Sequence, residues 1–587
     1  DYQYDVVVAG FGAAGAVASK TAAENGASVL LVEKMEQGLE GGNSKVCGQL
    51  FAYGNGDEEA TRTYYENLAA ELPIADDVLD TLVAGVANMR EILNEQFGVP
   101  MEDFMDWSSV PVINEMSPEY PWLEGSETVG LWTTHAGISD GYLYNIFQEY
   151  VFANSDSIDI WYESPAVHLI QDPVSNTVIG VQVERDGETL NIRALNGVVL
   201  ATGGFEGNEE MVADYLGLGD YAVIGGQYNT GDGITMALEV GADLWHMEVY
   251  EGGFYNAGLS YDVEMGTTAA QFGIVSGSAI TVGAGGKRYF PEDIFSKHGH
   301  VPNNGSWDNP SYPDDSYVVW DQKYMDTALE NGSIPDEFLD DIISGDTIEE
   351  LALNAGIDAE ALAVTIANYN TYANEGFDPE FDRSAESMTA FDDEGPYYAV
   401  YVKPSILNTQ GGPRKNGEAQ VLDVQGEVIP NLYVAGELGG VTSHQYQGGT
   451  NIAECITFGI KAGENAATEK DPLPAYTIEV VESDPILPGV VSDYAAFEID
   501  LEDDQYLGQG TGIGGALYVV VTMDGSTIVN IEVVSHSETD GISDPAFETV
   551  PSAIIDAQST EVDTVSGATI TSNAIIEAVN DALSQVE

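Results

Sequence analysis

The chain has 587 residues, 44% hydrophobic and 20% charged, the balance of an ordinary soluble globular protein. It is too long for one core and is expected to fold as about two to four domains. Its 98 acidic residues against 17 basic give a net charge of −81, which repels nucleic acid and anionic lipid and argues against both as partners.

The first element in chain order is a short buried strand, Tyr4 to Ala9, running into Gly10-Phe11-Gly12-Ala13-Ala14-Gly15. A small-residue helix follows from Ala16 to Asn25, then Gly26, then a strand from Ser28 to Val32 that ends on Glu33 and Lys34. This strand–turn–helix–strand order is the context that a lone glycine motif lacks. Gly10 permits the tight turn, Gly12 lets the backbone approach a pyrophosphate, and Gly15 allows close helix–strand packing. Glu33 stands where a carboxylate accepts the ribose hydroxyls of an adenosine.

Gly41-Gly42-Asn43-Ser44 lies shortly beyond. Val198 to Leu200 reads as a strand ending at Ala201-Thr202-Gly203-Gly204, and Asn229-Thr230-Gly231-Asp232-Gly233 opens a helix at Ile234. A third strand, Asn431 to Val434, ends in Ala435-Gly436-Glu437, and Asn451 and Ile452 follow the Gly448-Gly449 turn. No run approaches the ~20 apolar residues of a membrane span.

The last hundred residues change character. Prolines at 472, 474, 485 and 488 punctuate a linker. Ala516 to Thr522 and Ser526 to Val534 read as two strands around Met523-Asp524-Gly525, a hairpin signal. His536-Ser537-Glu538-Thr539 and a helix near Ser552 to Ala557 come next. The chain then reads Asp563-Thr564-Val565-Ser566-Gly567-Ala568-Thr569, with a helix expected from about Ser572. By itself this string is a small-residue turn before a helix, with Ser572 or Asn573 as its cap. A hydroxyl there also places a phosphate near backbone N–H groups.

Cys47 and Cys455 are too few for a disulfide framework and are expected as buried thiols, although one bridge is open to them. The seven histidines show no metal-ligand spacing, and no metal is expected. The chain opens on a strand without an initiator Met, as expected of a processed or trimmed product, so the absence of an export signal is uninformative. Acidity spread along the whole chain fits an extracytoplasmic setting or a salt-loving source.

As a set, the motifs of residues 1–240 and 396–470 resemble the FAD-binding half of the fumarate reductase, succinate dehydrogenase and 3-ketosteroid dehydrogenase flavoproteins. The C-terminal segment resembles FMN-binding domains, whose Ser-Gly-Ala-Thr motif carries FMN through a phosphoester. The implied fold is α/β. A Rossmann-like FAD-binding domain (1–240 and 396–470) would be split by an α+β capping domain (241–395) and followed by a linker (471–495) and a small α+β FMN-binding domain (496–587). The resemblance implies non-covalent FAD, contacted by Gly10, Gly12, Ala14, Gly15, Glu33, Lys34, Gly42, Asn43, Ser44, Ala201, Thr202, Gly203, Gly204, Asn229, Gly231, Asp232, Gly436, Glu437, Asn451 and Ile452. It also implies FMN held by Ser566, Gly567, Ala568 and Thr569, covalently at Thr569 and attached there by a flavin transferase.

In that family a reductant of fumarate uses one Arg as proton donor, another Arg to clamp a carboxylate, and a His for the second carboxylate. Within the frame Gly286-Lys287-Arg288-Tyr289-Phe290-Pro291-Glu292, the proton-donor position falls on Ser296, with Lys297 beside it. Asn408 stands where the His is expected, and Tyr446 before Gln447-Gly448-Gly449 stands at the clamping Arg. A bidentate Arg–carboxylate contact is not replaced by a phenol, which argues against fumarate. Tyr446, Lys297, Asn408 and Arg288 are the candidate catalytic residues. The expected activity is a flavin-dependent reductase. It would pass electrons from a membrane or extracytosolic donor through FMN and FAD to the C=C bond of a small organic acceptor, an enone or conjugated aromatic, in anaerobic respiration. Desaturation of a 3-ketosteroid-like substrate, a carboxylate reductase of the fumarate or urocanate type, and a non-catalytic electron-transfer flavoprotein are the other readings.

Overall fold

The computed structural model describes residues 1–70, 72, 74–110, 113–226, 228–252, 258–259, 270–271, 276–293, 297–303, 306–308, 312–313, 315–332, 334, 336–472, 499, 501–512, 515–536, 538, 543–560, 562–565 and 568–586. Most of the expected linker, and Ser296, Ser566 and Gly567, lie outside these. The chain forms two compact units, Asp1–Leu473 and Pro474–Glu587. No helix among the described residues is long and apolar enough to cross a membrane.

The first unit is built on an eight-stranded sheet. Its parallel centre places β1 (Tyr2–Ala9) between β2 (Val29–Val32) and β4 (Glu188–Leu200), with β3 (Ile158–Trp161) beyond β2 and β7 (Val428–Val434) beyond β4. Val6, Val7, Val8 and Val198 to Leu200 are buried on both faces, as the unbroken apolar runs of a parallel sheet require. Helix α1 (Ala13–Glu24) crosses one face and packs on α2 (Thr450–Ala467) through small residues. A Cβ on Gly463 would lie 2.6 Å from the Ala18 carbonyl oxygen, and one on Gly459 3.0 Å from that of Ala14.

The insertion carries its own antiparallel sheet of Ala279–Gly283, Ser316–Asp321, Tyr397–Val402 and Ile343–Gly345. Its core includes Ile280, Val319, Leu351, Leu362 and Tyr369. Tyr397–Val402 therefore belongs to the insertion, not to the second FAD segment expected from residue 396. The chain re-enters the FAD half at β6 (Ser405–Thr409), which pairs antiparallel with β5 (Tyr250–Gly252).

In the second unit, β8 (Gln505–Gly512), β9 (Gly515–Asp524) and β10 (Thr527–Ser535) form an antiparallel sheet. The β9–β10 turn is Gly525-Ser526, so the hairpin is tighter than the sequence suggests. Gly508 and Gly510 admit α4 (Thr569–Leu583) onto the sheet, since their Cβ atoms would fall about 2 Å from the Ala578 and Ala574 carbonyl oxygens. Helix α3 (Asp544–Ala557) runs through Pro551, extending eight residues further N-terminal than expected. Proline costs ~3 kcal/mol inside a helix, but burial of Val550, Pro551 and Ile554 in this core overrides that preference.

Candidate flavin cleft and active site

The turn after β1 opens a cleft of ≈ 820 Å³, mouth included. Gly10, Gly12 and Ala14 line it, with Glu33 and Lys34 at the end of β2 and Gly42, Asn43 and Ser44 opposite. Ala201, Thr202, Gly203, Asn229, Asp232, Gly436 and Glu437 complete the wall. The three motif glycines do different work. Gly10 has φ +102° and a Cβ there would sit 2.3 Å from the Ala201 carbonyl oxygen, while one on Gly15 would sit 1.9 Å from that of Gly10. A Cβ on Gly12 meets no protein atom closer than 3.6 Å. Its missing side chain leaves room in the cleft for a ligand, as close approach of a pyrophosphate needs.

The Glu33 carboxylate accepts from the Phe11 and Met35 N–H groups, both at 2.9 Å, and burial raises its pKa. Lys34 donates to Thr230 at 2.7 Å and Asp232 at 2.8 Å, fixing the second turn to the first. Asn43 donates to Glu206 at 2.7 Å and Glu437 at 2.8 Å, and Asn229 donates to Glu206 at 2.7 Å. Burial raises Glu206, and burial together with repulsion from Glu206 holds Glu437 well above the usual carboxylate range. The two carboxylates are hydrogen-bonded to each other, which favours a shared proton between them. Glu206, two residues past Gly204, was not found from the sequence although the Gly203-Gly204 turn was.

Gly15, Gly204, Gly231, Asn451 and Ile452 do not line the cleft. Gly204 packs against Thr409 and the carboxylate pair, and Gly231 precedes the helix Asp232–Glu239 with φ +77°. Asn451 and Ile452 lie in the first turn of α2, where the Asn451 amide oxygen accepts from Gln410 at 3.1 Å. Cys455 also lines the cleft; it and Cys47 are free thiols, both raised by burial.

Beyond β6 lies a second polar cluster. Strand alternation turns Thr409 toward Glu206 and Glu437, and Asn408 toward Glu251 on the facing strand. Asn408 and Gln410 both donate to Glu251 Oε2, Gln410 at 2.7 Å. Glu251 Oε1 is buried with no hydrogen-bond partner among the described residues. Nearby, Glu119 Oε1 lies 2.7 Å from His298 Nδ1, and its Oε2 accepts from the Gly448 N–H at 2.9 Å. The His298 ring meets Tyr446 edge-on, with centroids 4.8 Å apart. Tyr446 is buried, and burial pushes its phenol well up, so it stays a donor at neutral pH.

In the second unit, the first turn of α4 carries three hydroxyls. Thr571 is buried and donates to Glu538, and Ser572 is buried, accepting from the Val565 N–H at 3.1 Å and donating to the Ala568 carbonyl at 2.9 Å. Thr569 is exposed. The helix starts at Thr569, three residues before the expected Ser572, because Ser572 closes the turn from inside the helix.

Residues 5–452 match the FAD binding domain family. The chain belongs to this family of FAD-binding oxidoreductases. Residues 512–584 of the flavoprotein match the FMN-binding domain family. It is 29% identical over 482 residues to the Shewanella frigidimarina protein named "Probable fumarate reductase Ifc3", covering 79% of this chain and 74% of that one. It is 29% identical over 490 residues to the urocanate reductase of Eggerthella lenta, again 79% and 74% of the two chains. Its fold matches that of a 3-ketosteroid delta1-dehydrogenase from Sterolibacterium denitrificans, with TM-score 0.63 and 21% identity over 80% of this chain and 100% of the other. FAD and FMN are thus its cofactors, and the cleft described above fits FAD.

The four catalytic candidates of the flavoprotein do not all converge. Tyr446 and Asn408 lie in the cluster. Arg288 is locked in the insertion, 2.7 Å from Glu292 and 2.9 Å from Asp378, with Arg383 3.1 Å from Glu292. Lys297 pairs through its backbone with His300 in a tight turn that presents His298 to Glu119. Glu119, Glu251 and His298 were not found from sequence, and the only hint was that His298 lies two residues past the expected proton-donor position.

Burial raises Glu251 from an ordinary 4.5 to about 7. A carboxyl raised on folding contributes stability that is complete below pH 4.5 and lost as pH rises through 7. The shift corresponds to about 3 kcal/mol. Glu251→Gln is therefore expected to raise the unfolding midpoint relative to the native chain at pH 8 and to leave it nearly unchanged at pH 4.5. Equal differences at both pH values, in denaturant melts of the full chain, contradict the assignment.

Proposed function

We propose that this flavoprotein is an extracytoplasmic reductase that saturates the activated C=C bond of a neutral small molecule, an enone or conjugated aromatic. Electrons reach it from an external donor through FMN on Thr569 and then FAD. Bound, reduced FAD supplies a hydride to one carbon of the double bond. The likeness to proteins named as fumarate and urocanate reductases supports C=C reduction, and the exposed Thr569 beside two inward-bonded hydroxyls supports its role as anchor.

One observation carries the choice of acceptor. The cluster around Tyr446 is made of carboxylates, amides, a phenol and the His298 imidazole, and all seven arginines are placed elsewhere. Arg62 and Arg414 pair with surface carboxylates, Arg185 lies beside Asp186 at the surface, and Arg193 is exposed on β4. Arg90 packs on Tyr53, Phe104 and Trp132, and Arg288 and Arg383 hold the insertion together. Without a guanidinium the cluster offers no bidentate clamp for a substrate carboxylate. In this reading Tyr446 donates to the carbonyl oxygen that activates the double bond, and Asn408 holds Glu251 in place. Turnover of cyclohexenone with reduced viologen as electron source tests it. Tyr446→Phe is expected to lower kcat about a hundredfold, the scale of losing one donor to a developing oxyanion; an unchanged rate removes Tyr446 from the chemistry.

A further inference from the structure

Saturating a C=C bond needs a proton as well as a hydride, and the position expected to carry a proton-donor Arg holds Ser296. We infer that His298, oriented by Glu119, delivers that proton; this rests on the reductase reading above. His298 and Glu119 are both buried, and Nδ1 lies 2.7 Å from Oε1. The carboxylate is itself fixed. Its Oε2 accepts from the Gly448 N–H at 2.9 Å, and the Glu119 N–H donates to Gln447 Oε1 at 3.0 Å. Gln447 in turn accepts from the Tyr64 hydroxyl at 2.7 Å and donates to the Met116 carbonyl at 2.9 Å. Glu119 is thus tied to the glycine turn that begins α2, and a single turn aligns Tyr446 and the dyad.

The ring's other edge faces the same turn. A Cβ on Gly448 would lie 3.2 Å from His298 Cε1 and 3.7 Å from Nε2. With Nδ1 committed to Glu119, Nε2 is the second ring nitrogen, on the edge that faces Gly448. In the donor form the ring carries a proton on each nitrogen, with Nδ1–H directed at the Glu119 carboxylate. Hydride addition to one alkene carbon leaves its electron pair on the other. That pair takes the Nε2 proton, the N–H bond breaks, and neutral His298 keeps the Nδ1 proton shared with Glu119. Water then restores the Nε2 proton. Among the described residues, the ionisable groups around the ring include Glu119 from its loop, Glu251 from β5, Tyr446 from the turn before α2, and Lys297 and His300 from its own turn.

The test uses the full chain with both flavins and isotope-labelled histidine. The expected result is a histidine with a proton on Nδ1 in a strong hydrogen bond, seen as a downfield resonance that is lost in both His298→Asn and Glu119→Gln. An Nδ1 without a proton overturns the inference, whatever the activity. In single-turnover reoxidation by cyclohexenone, His298→Asn is expected to be about 10²–10⁴-fold slower, with its reduction by dithionite unchanged. A native rate in His298→Asn also overturns it. Glu119→Asp is expected to recover rate relative to Glu119→Gln, because a purely structural role would not follow the charge. A native chain that no acceptor reoxidises sinks the reductase reading instead, and the histidine resonance then decides the dyad on its own.

Discussion

Gly15→Ala is expected to yield a chain that no longer retains FAD. The added methyl would sit 1.9 Å from the Gly10 carbonyl oxygen, 3.0 Å from its carbon and 3.5 Å from Ala201 Cβ. None of these is the end of a flexible side chain, so α1 itself must move. Movement is resisted on the far side by α2, whose Gly459 and Gly463 already touch the backbone of α1. Overpacking of this kind costs about 1–3 kcal/mol, and all of it falls on the turn that frames the cleft. At 1.4 kcal/mol per tenfold, FAD affinity is expected to drop roughly ten- to a hundredfold. Measurement of FAD released from the purified chain checks this. Gly12→Ala is the informative companion, since its methyl meets no protein atom within 3.6 Å. It is expected to fold normally and still lose FAD, because it fills the space left for the ligand.

Thr569→Ala is expected to abolish covalent FMN and leave FAD in place. The side chain is exposed at the first position of α4, so its removal is worth no more than about 0.5 kcal/mol in stability. The intact-protein mass is expected to fall by the FMN moiety, and turnover driven by an external donor to drop to background. Reduction of FAD by dithionite survives. Thr571→Ala is the control: that hydroxyl is buried against Glu538, and the variant is expected to keep its FMN. Retention of the FMN mass in Thr569→Ala contradicts the anchor.

Much of this architecture was readable because its signals are local. The valines of β1, the glycines that follow and Glu33 at the end of β2 lie within one strand–helix–strand unit, and each residue type answers a constraint met there. The β9–β10 hairpin and the α4 turn are local in the same way. What was not readable depends on distant partners. Pro551 announces a helix break, and only the buried surface around Val550 and Ile554 reverses it. Tyr397–Val402 alternates like any strand, and its membership in the insertion is set by its pairing with Ser316–Asp321. The dyad joins residues 179 positions apart, and Glu251 faces Asn408 across 157. Lys297 drew attention as the nearest cation to the expected site, but the tight turn back to His300 carries its neighbour His298 to Glu119.

The central claim, that electrons leave this flavoprotein onto a neutral activated double bond, is tested most directly by a single-turnover comparison of acceptors. The holoprotein is reduced anaerobically and mixed with cyclohexenone or with fumarate at equal concentration while flavin reoxidation is followed. Rapid reoxidation by cyclohexenone with formation of the saturated ketone, and none by fumarate, is the predicted result. Reoxidation by fumarate at an equal or faster rate contradicts it.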